Sequence, residues 1–182
     1  MKRMVVASVL TLCAGPMAVC ASDLESEAKQ QISVFGKNLK GALQQGMKSA
    51  GIEGAIASCN IHAPEISQAA RAQGWTVGRT SLKTRNAANS PDTWERSVLQ
   101  SFEERLAAGE PIQSLQASTT ENGHYRYMKA IPTGQLCLNC HGTDIAPEML
   151  ERLDELYPED KARGYTEGQI RGAFSVSKAL DE

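Results

Sequence analysis

The run Cys137-Leu138-Asn139-Cys140-His141 constrains this chain more than any other feature. Cys-x-x-Cys-His is the pattern through which c-type haem is attached covalently. The spacing has a mechanical reason. Two thiols one helical turn apart can each form a thioether to a vinyl group of the macrocycle, and the next residue sets an imidazole under the iron. A tetrahedral zinc site would need a second ligand pair, and outside this run only Cys59, His62 and His124 remain in the exported part of the chain to supply it. A thioredoxin-type redox pair belongs after an early strand, whereas this pair lies late, between Gly134 and Gly142. The expectation is one covalent haem c per chain, held by Cys137, Cys140 and His141.

The N-terminus agrees with that reading. Lys2 and Arg3 precede an apolar run from Met4 to about Cys13, and small residues follow as far as Ala21, the pattern of a secretory signal. Cleavage after Ala21 divides the chain into a signal at 1–21 and one domain at 22–182. Acylation at Cys20 is the rival, with Val19 a poor fit just before it. Covalent haem is assembled outside the cytoplasmic membrane, so the expected location is the periplasm. Lys2 and Arg3 are the only charged residues in the signal, and their loss leaves 17 basic against 21 acidic residues, a charge of about −4. That balance, with basic residues scattered apart from Arg79, Lys83 and Arg85, carries no nucleic-acid footprint. No second segment is apolar enough to span a membrane.

Cysteine counting isolates one residue. With Cys13 and Cys20 in the signal, and Cys137 and Cys140 used as thioethers, Cys59 is left alone in an oxidising compartment. It is either buried and inert or occupied, for instance as an iron ligand opposite His141. Residue chemistry alone leaves that second axial position open among Cys59, His62, His124, Met47, Met128 and Met149. For His62 and His124 partial exposure is the competing reading, and for Met128 ordinary strand packing.

Periodicity fixes the architecture around these residues. Leu24, Ala28, Ile32, Phe35, Leu39, Leu43 and Met47 recur at three- and four-residue spacing and predict a long amphipathic helix ending near Gly51. A short helix over Gly54 to Asn60 and one from Pro64 to Ala72 follow, then a strand from Trp75 to Ser81. Asp92 or Thr93 caps a helix bearing Val98, Leu99, Phe102 and Leu106. Strands are expected over Ile112 to Thr119 and Tyr125 to Ile131, joined at Glu121-Asn122-Gly123. A helix from about Pro147 to Leu156 and a strand near Gly172 to Val176 complete the chain. The pattern is α+β: a small antiparallel sheet with flanking helices and a long N-terminal helix.

Several blocks carry a family likeness. Ala57-Ser58-Cys59-Asn60 with Ala63-Pro64, the stretch Gly78 to Asn86 with Asn89, Pro91, Trp94 and Glu95, the Cys-x-x-Cys-His run, and Gly164-Tyr165 through Arg171-Gly172-Ala173-Phe174-Ser175 together resemble the cyanobacterial Tll-type c-haem domain family. The resemblance implies a PAS-like fold, and it implies iron held by His141 and Cys59. Ala87 stands where the family tends to carry proline, and Gln169 where an acidic residue is common. Related domains also precede signalling modules such as histidine kinases, so a chain without such a module would need a redox or signalling protein partner.

If both axial positions are filled, the iron has no vacant site for substrate, which disfavours enzyme chemistry. The expected function is redox sensing by a periplasmic haem protein. A mono-haem electron carrier is the alternative, and a haem enzyme or gas-binding protein is a third class that would need an open distal side. Arg79, Lys83 and Arg85 are candidates to neutralise haem propionates or a thiolate, or else to cap loops. Trp94 reads as helix core, and Tyr165 as a residue at the haem edge or in turn packing.

Overall fold

The computed structural model of the protein describes residues 21–57, 63–71 and 73–180. Helix α1 (Ala21–Ala57) opens the chain, and α2 (Ala63–Arg71) follows. Strand β1 (Trp75–Thr80), helix α3 (Thr93–Ala107), and the hairpin of β2 (Gln116–Glu121) and β3 (His124–Pro132) come next. Helices α4 (Gln135–His141) and α5 (Pro147–Leu156) lead to β4 (Ile170–Ala179). The strands form one antiparallel sheet in the order β1-β4-β3-β2. The α+β class expected from the sequence is therefore the one observed.

Each boundary has a local cause. Helix α1 breaks at Ala50 and Gly51, where Gly51 adopts φ 55, a conformation that disfavours residues with a Cβ. The short helix expected after it is thus the last part of α1 itself, to Ala57, with residues 58–60 outside the described chain. Asp92 caps α3 with a full capping box: its carboxylate accepts from Glu95 N, and the Glu95 carboxylate accepts from Asp92 N. At the hairpin, Glu121 pairs with His124 across Asn122 (φ 50) and Gly123 (φ 72), the two positive angles of a tight primed turn. Strand β2 starts later than its composition suggests. Ile112–Ser114 forms a single 3₁₀ turn that buries Ile112 and Leu115 on one side, so pairing begins only at Gln116.

Alternation along the strands sends side chains to two separate cores. On one face, Trp75, Val77, Tyr125, Tyr127 and Val176 meet Leu24, Ala28, Ile32 and Phe35 from the first half of α1. Phe174 seats edge-on against Phe35 at 6.0 Å, and Gly36 admits it because a Cβ there would lie 3.2 Å from the ring. On the other face, Met128, Ala130 and Ala173 pack under Val98, Leu99 and Phe102 of α3. Burial of each such large side chain stabilises the fold by roughly 1.5–3 kcal/mol. The apolar stripe of the first half of α1 thus packs on the chain's own sheet. A third cluster joins Ile52 and Ile56, beyond the break in α1, to Ile145, Met149 and Leu153, with Cys140 against it. No helix among the described residues is long and apolar enough to cross a membrane.

Candidate functional site

Strand β3 leaves the sheet at a register shift between Ile131 and Pro132. Thr133 N donates to Gln169 O at 2.8 Å, and Gly168 N donates to Thr133 O at 2.9 Å, so the exit from β3 is tied to the approach to β4. Gly134 then starts α4, which consists of little besides Gln135 to His141. Cys137 and Cys140 lie one turn apart on α4 and are half-buried. Cys140 Sγ is 3.8 Å from Met149 Sδ at the edge of the third cluster.

His141 is fixed by the loop that precedes β4. Its Nδ1 lies 2.7 Å from Ala162 O and donates to it, which leaves Nε2 without the proton and able to act as a ligand. Burial first, then the charges of Arg171 and Arg85, push the imidazole down to about 3, so the ring is neutral at physiological pH. The loop grips the motif further through Tyr165 N to His141 O at 2.9 Å and Gly164 N to Gly142 O at 3.0 Å. Tyr165 is buried, and its ring stands edge-on to His141 at 6.4 Å.

Asp160 organises that loop. Its side chain is 1% exposed, with one oxygen accepting from Ala162 N at 2.8 Å and the other from Arg85 Nε at 3.2 Å and Arg163 Nε at 2.8 Å. Burial alone would raise its pKa, but the hydrogen bonds from Arg163 and Ala162 and the charge of Arg85 outweigh it and hold the carboxyl below its usual range. Arg85 also donates through Nη2 to Cys140 O. The Pro158-Glu159-Asp160 run has turn composition, and nothing local to Asp160 signals this buried role.

Strand β4 contributes a third arginine, Arg171. A Cβ at Gly172 would lie 2.4 Å from Thr80 O, so glycine there lets β4 close on the end of β1 and sets Arg171 beside Ser81 and Lys83. Arg171 Nη1 donates to Ser81 Oγ at 3.2 Å and Lys83 O at 3.3 Å, while its buried Nε has no hydrogen-bond partner among the described residues. Burial lowers its pKa, and Arg85 and Arg79 lower it further.

The other candidates separate cleanly. Met128 is fully buried under α3, and His124 is exposed on the hairpin with Nδ1 near Asn122 O. Met47 is half-buried on α1, and Met149 is buried beside Cys140. Lys83 is exposed with Nζ 5.2 Å from the Tyr165 ring centre. Trp94 packs against the α3 cluster beneath Arg126, whose guanidinium lies 4.4 Å from the ring centre. Cys59 and His62 lie outside the described residues, as does the signal segment through residue 20. The residues present fit a haem. Two thiols and a neutral imidazole with a free Nε2 line one helix, and a buried guanidinium with an unpartnered donor lies among further positive charges close by.

An antiparallel sheet with a long N-terminal helix and a short motif-bearing helix after its inner strand β3 defines an α+β domain. Comparison with known proteins makes the assignment specific. A model of the Tll0287-like family matches residues 18–179, and the chain belongs to that family. Among solved structures it is similar to the crystal structure of the cyanobacterial heme-protein Tll0287, with 20% identity, a TM-score of 0.68, and coverage of 90% of this chain and 99% of that one. At that identity the structural likeness speaks for the fold. None of the curated proteins compared matches the chain.

Proposed function

We propose that this is an exported haem protein in which Cys137 and Cys140 carry a covalent haem c, His141 and Cys59 are the axial ligands, and the oxidation state of the iron is the signal. The observation that carries the reading is the bond from His141 Nδ1 to Ala162 O, which selects the tautomer an iron ligand needs in the residue that follows the two thiols. Support for Cys59 comes from the cysteine count and from α1, which packs Ile52 and Ile56 into the cluster holding Cys140 and ends at Ala57, just before Cys59. The similar protein Tll0287 is itself a heme-protein. A haem bound in this way supplies one-electron exchange. Cys59 as thiolate favours the oxidised state, and its protonation and release is the change by which this chain would distinguish the two redox states. The signal would then pass to a partner protein in the periplasm.

The test is the ferric electron paramagnetic resonance spectrum of holoprotein matured with the c-type assembly machinery, beside Cys59→Ala. Low-spin iron with the compressed g-spread of thiolate ligation, lost in the variant, is the expected result. A high-spin spectrum, or one indifferent to Cys59, overturns the ligand pair. A haem that acid-acetone extraction removes overturns covalent attachment.

A further inference from the structure

Three of the basic residues around the site, Arg79, Lys83 and Arg85, stand out in the sequence, but the structure does not give them equal roles. Arg85 is committed within the protein: Nε to Asp160 and Nη2 to the carbonyl of Cys140. Arg171 has a different environment. Its contacts are the Ser81 hydroxyl, the Lys83 carbonyl and the side chain of Tyr165, whose ring centre is 5.3 Å away, all neutral, and no carboxylate among the described residues pairs with it. A guanidinium in that position keeps its charge at a cost unless an anion meets it. The unpartnered, buried Nε lies on the edge by which arginine grips a carboxylate with two parallel bonds. The Tyr165 ring centre lies 5.3 Å from the guanidinium carbon, and the same ring stands edge-on to His141.

Resting on the proposed haem reading, we infer that Arg171 binds a haem propionate through its Nε edge, while Arg85 is a positioning residue that fastens the Cys-x-x-Cys-His helix to the Asp160 loop. Propionates are the carboxylates that a haem brings to the site, so the cofactor itself would provide the anion that Arg171 lacks among the described residues. The assignment deepens the function, because a guanidinium on a propionate lowers the negative charge felt by the iron and raises its reduction potential.

The experiment compares Arg171→Gln, Arg171→Lys and Arg85→Gln as holoproteins, by resonance Raman spectroscopy of the propionate bending bands and by spectroelectrochemistry, with the ferric resonance spectrum reporting the axial ligands. Both Arg171 variants are expected to shift a propionate band while the ligand signature stays as it was. Arg171→Gln is expected to lower the midpoint potential further than Arg171→Lys, which keeps the charge and carries the test should the glutamine variant fail to fold. Arg85→Gln is expected to leave the band in place. An unshifted band in the Arg171 variants overturns this assignment alone. A wild-type protein with no covalent haem in the pyridine haemochrome assay overturns the proposed function and this assignment together.

Discussion

Replacing Asp160 by alanine removes a carboxylate that three groups share, and the size of the loss follows from their burial. Arg85 is 13% exposed and Asp160 1%, so the pair is a buried one, and deleting one partner of such a pair costs about 3–5 kcal/mol. The Ala162 N–H also loses its acceptor in a residue with no exposure, a further ~1–3 kcal/mol if nothing replaces it. Arg163 is more exposed and its pairing adds little. The terms overlap, since the freed groups relax together, and a net loss of about 4 kcal/mol is expected. For a domain of this size that lowers Tm by roughly 8–16 °C. Asp160→Asn retains an acceptor for Ala162 but not the charge, and should lose about half as much. The pH dependence has a definite sign. The folded-state pKa of Asp160 is depressed, so its contribution is complete above the unfolded value near 3.8 and is lost as pH falls through the lower folded value. Urea denaturation followed by circular dichroism should therefore separate wild type from Asp160→Ala fully at pH 7 and bring them together well below pH 4. A difference under about 1 kcal/mol at pH 7, or one that persists unchanged at pH 2, would refute the reasoning.

Two further substitutions probe the frame around the site. Phe102→Ala empties a fully buried position between α3 and the sheet and should cost about 3–5 kcal/mol in the same denaturation assay, with the ligand signature of the holoprotein retained because this core lies on the opposite face from α1. Gly142→Ala places a Cβ 2.6 Å from the carbonyl oxygen of Leu138, so the motif helix must shift, with an expected loss of about 1–3 kcal/mol and a broadened ferric resonance spectrum.

Much of this architecture was legible because it is encoded locally. The i, i+4 pattern of Leu24, Ala28 and Ile32 buries one stripe of α1, Gly51 breaks the helix, and Asn122-Gly123 turns the hairpin. The Cys-x-x-Cys-His run was legible for the same reason, since five consecutive residues spell it. What the sequence hid is what the sheet assembles. Arg171 gains its setting only when β4 pairs with β1 and brings it to Ser81, 90 residues earlier. Asp160 and Arg85 are 75 positions apart, and although Arg85 stands out as a basic residue, nothing local to either names the other as partner until burial brings them together. The start of β2 was misread because Ile112 and Leu115 are apolar in a 3₁₀ turn as they would be in a strand.

Helix α4 spans only seven residues and has no side-chain cap at its N-terminus. A peptide that short does not hold a helix in water by itself. Its shape is imposed from outside, by the carbonyl of Ala162, the carboxylate of Asp160 acting through Arg85, and the amides of Gly164 and Tyr165. Every one of those groups lies downstream in the chain or is anchored to something that does. During synthesis the thiols and imidazole therefore emerge in the right order but without a fixed arrangement. They acquire one only when the segment leading to β4 arrives, so the last quarter of the chain acts as the mould for the motif that precedes it.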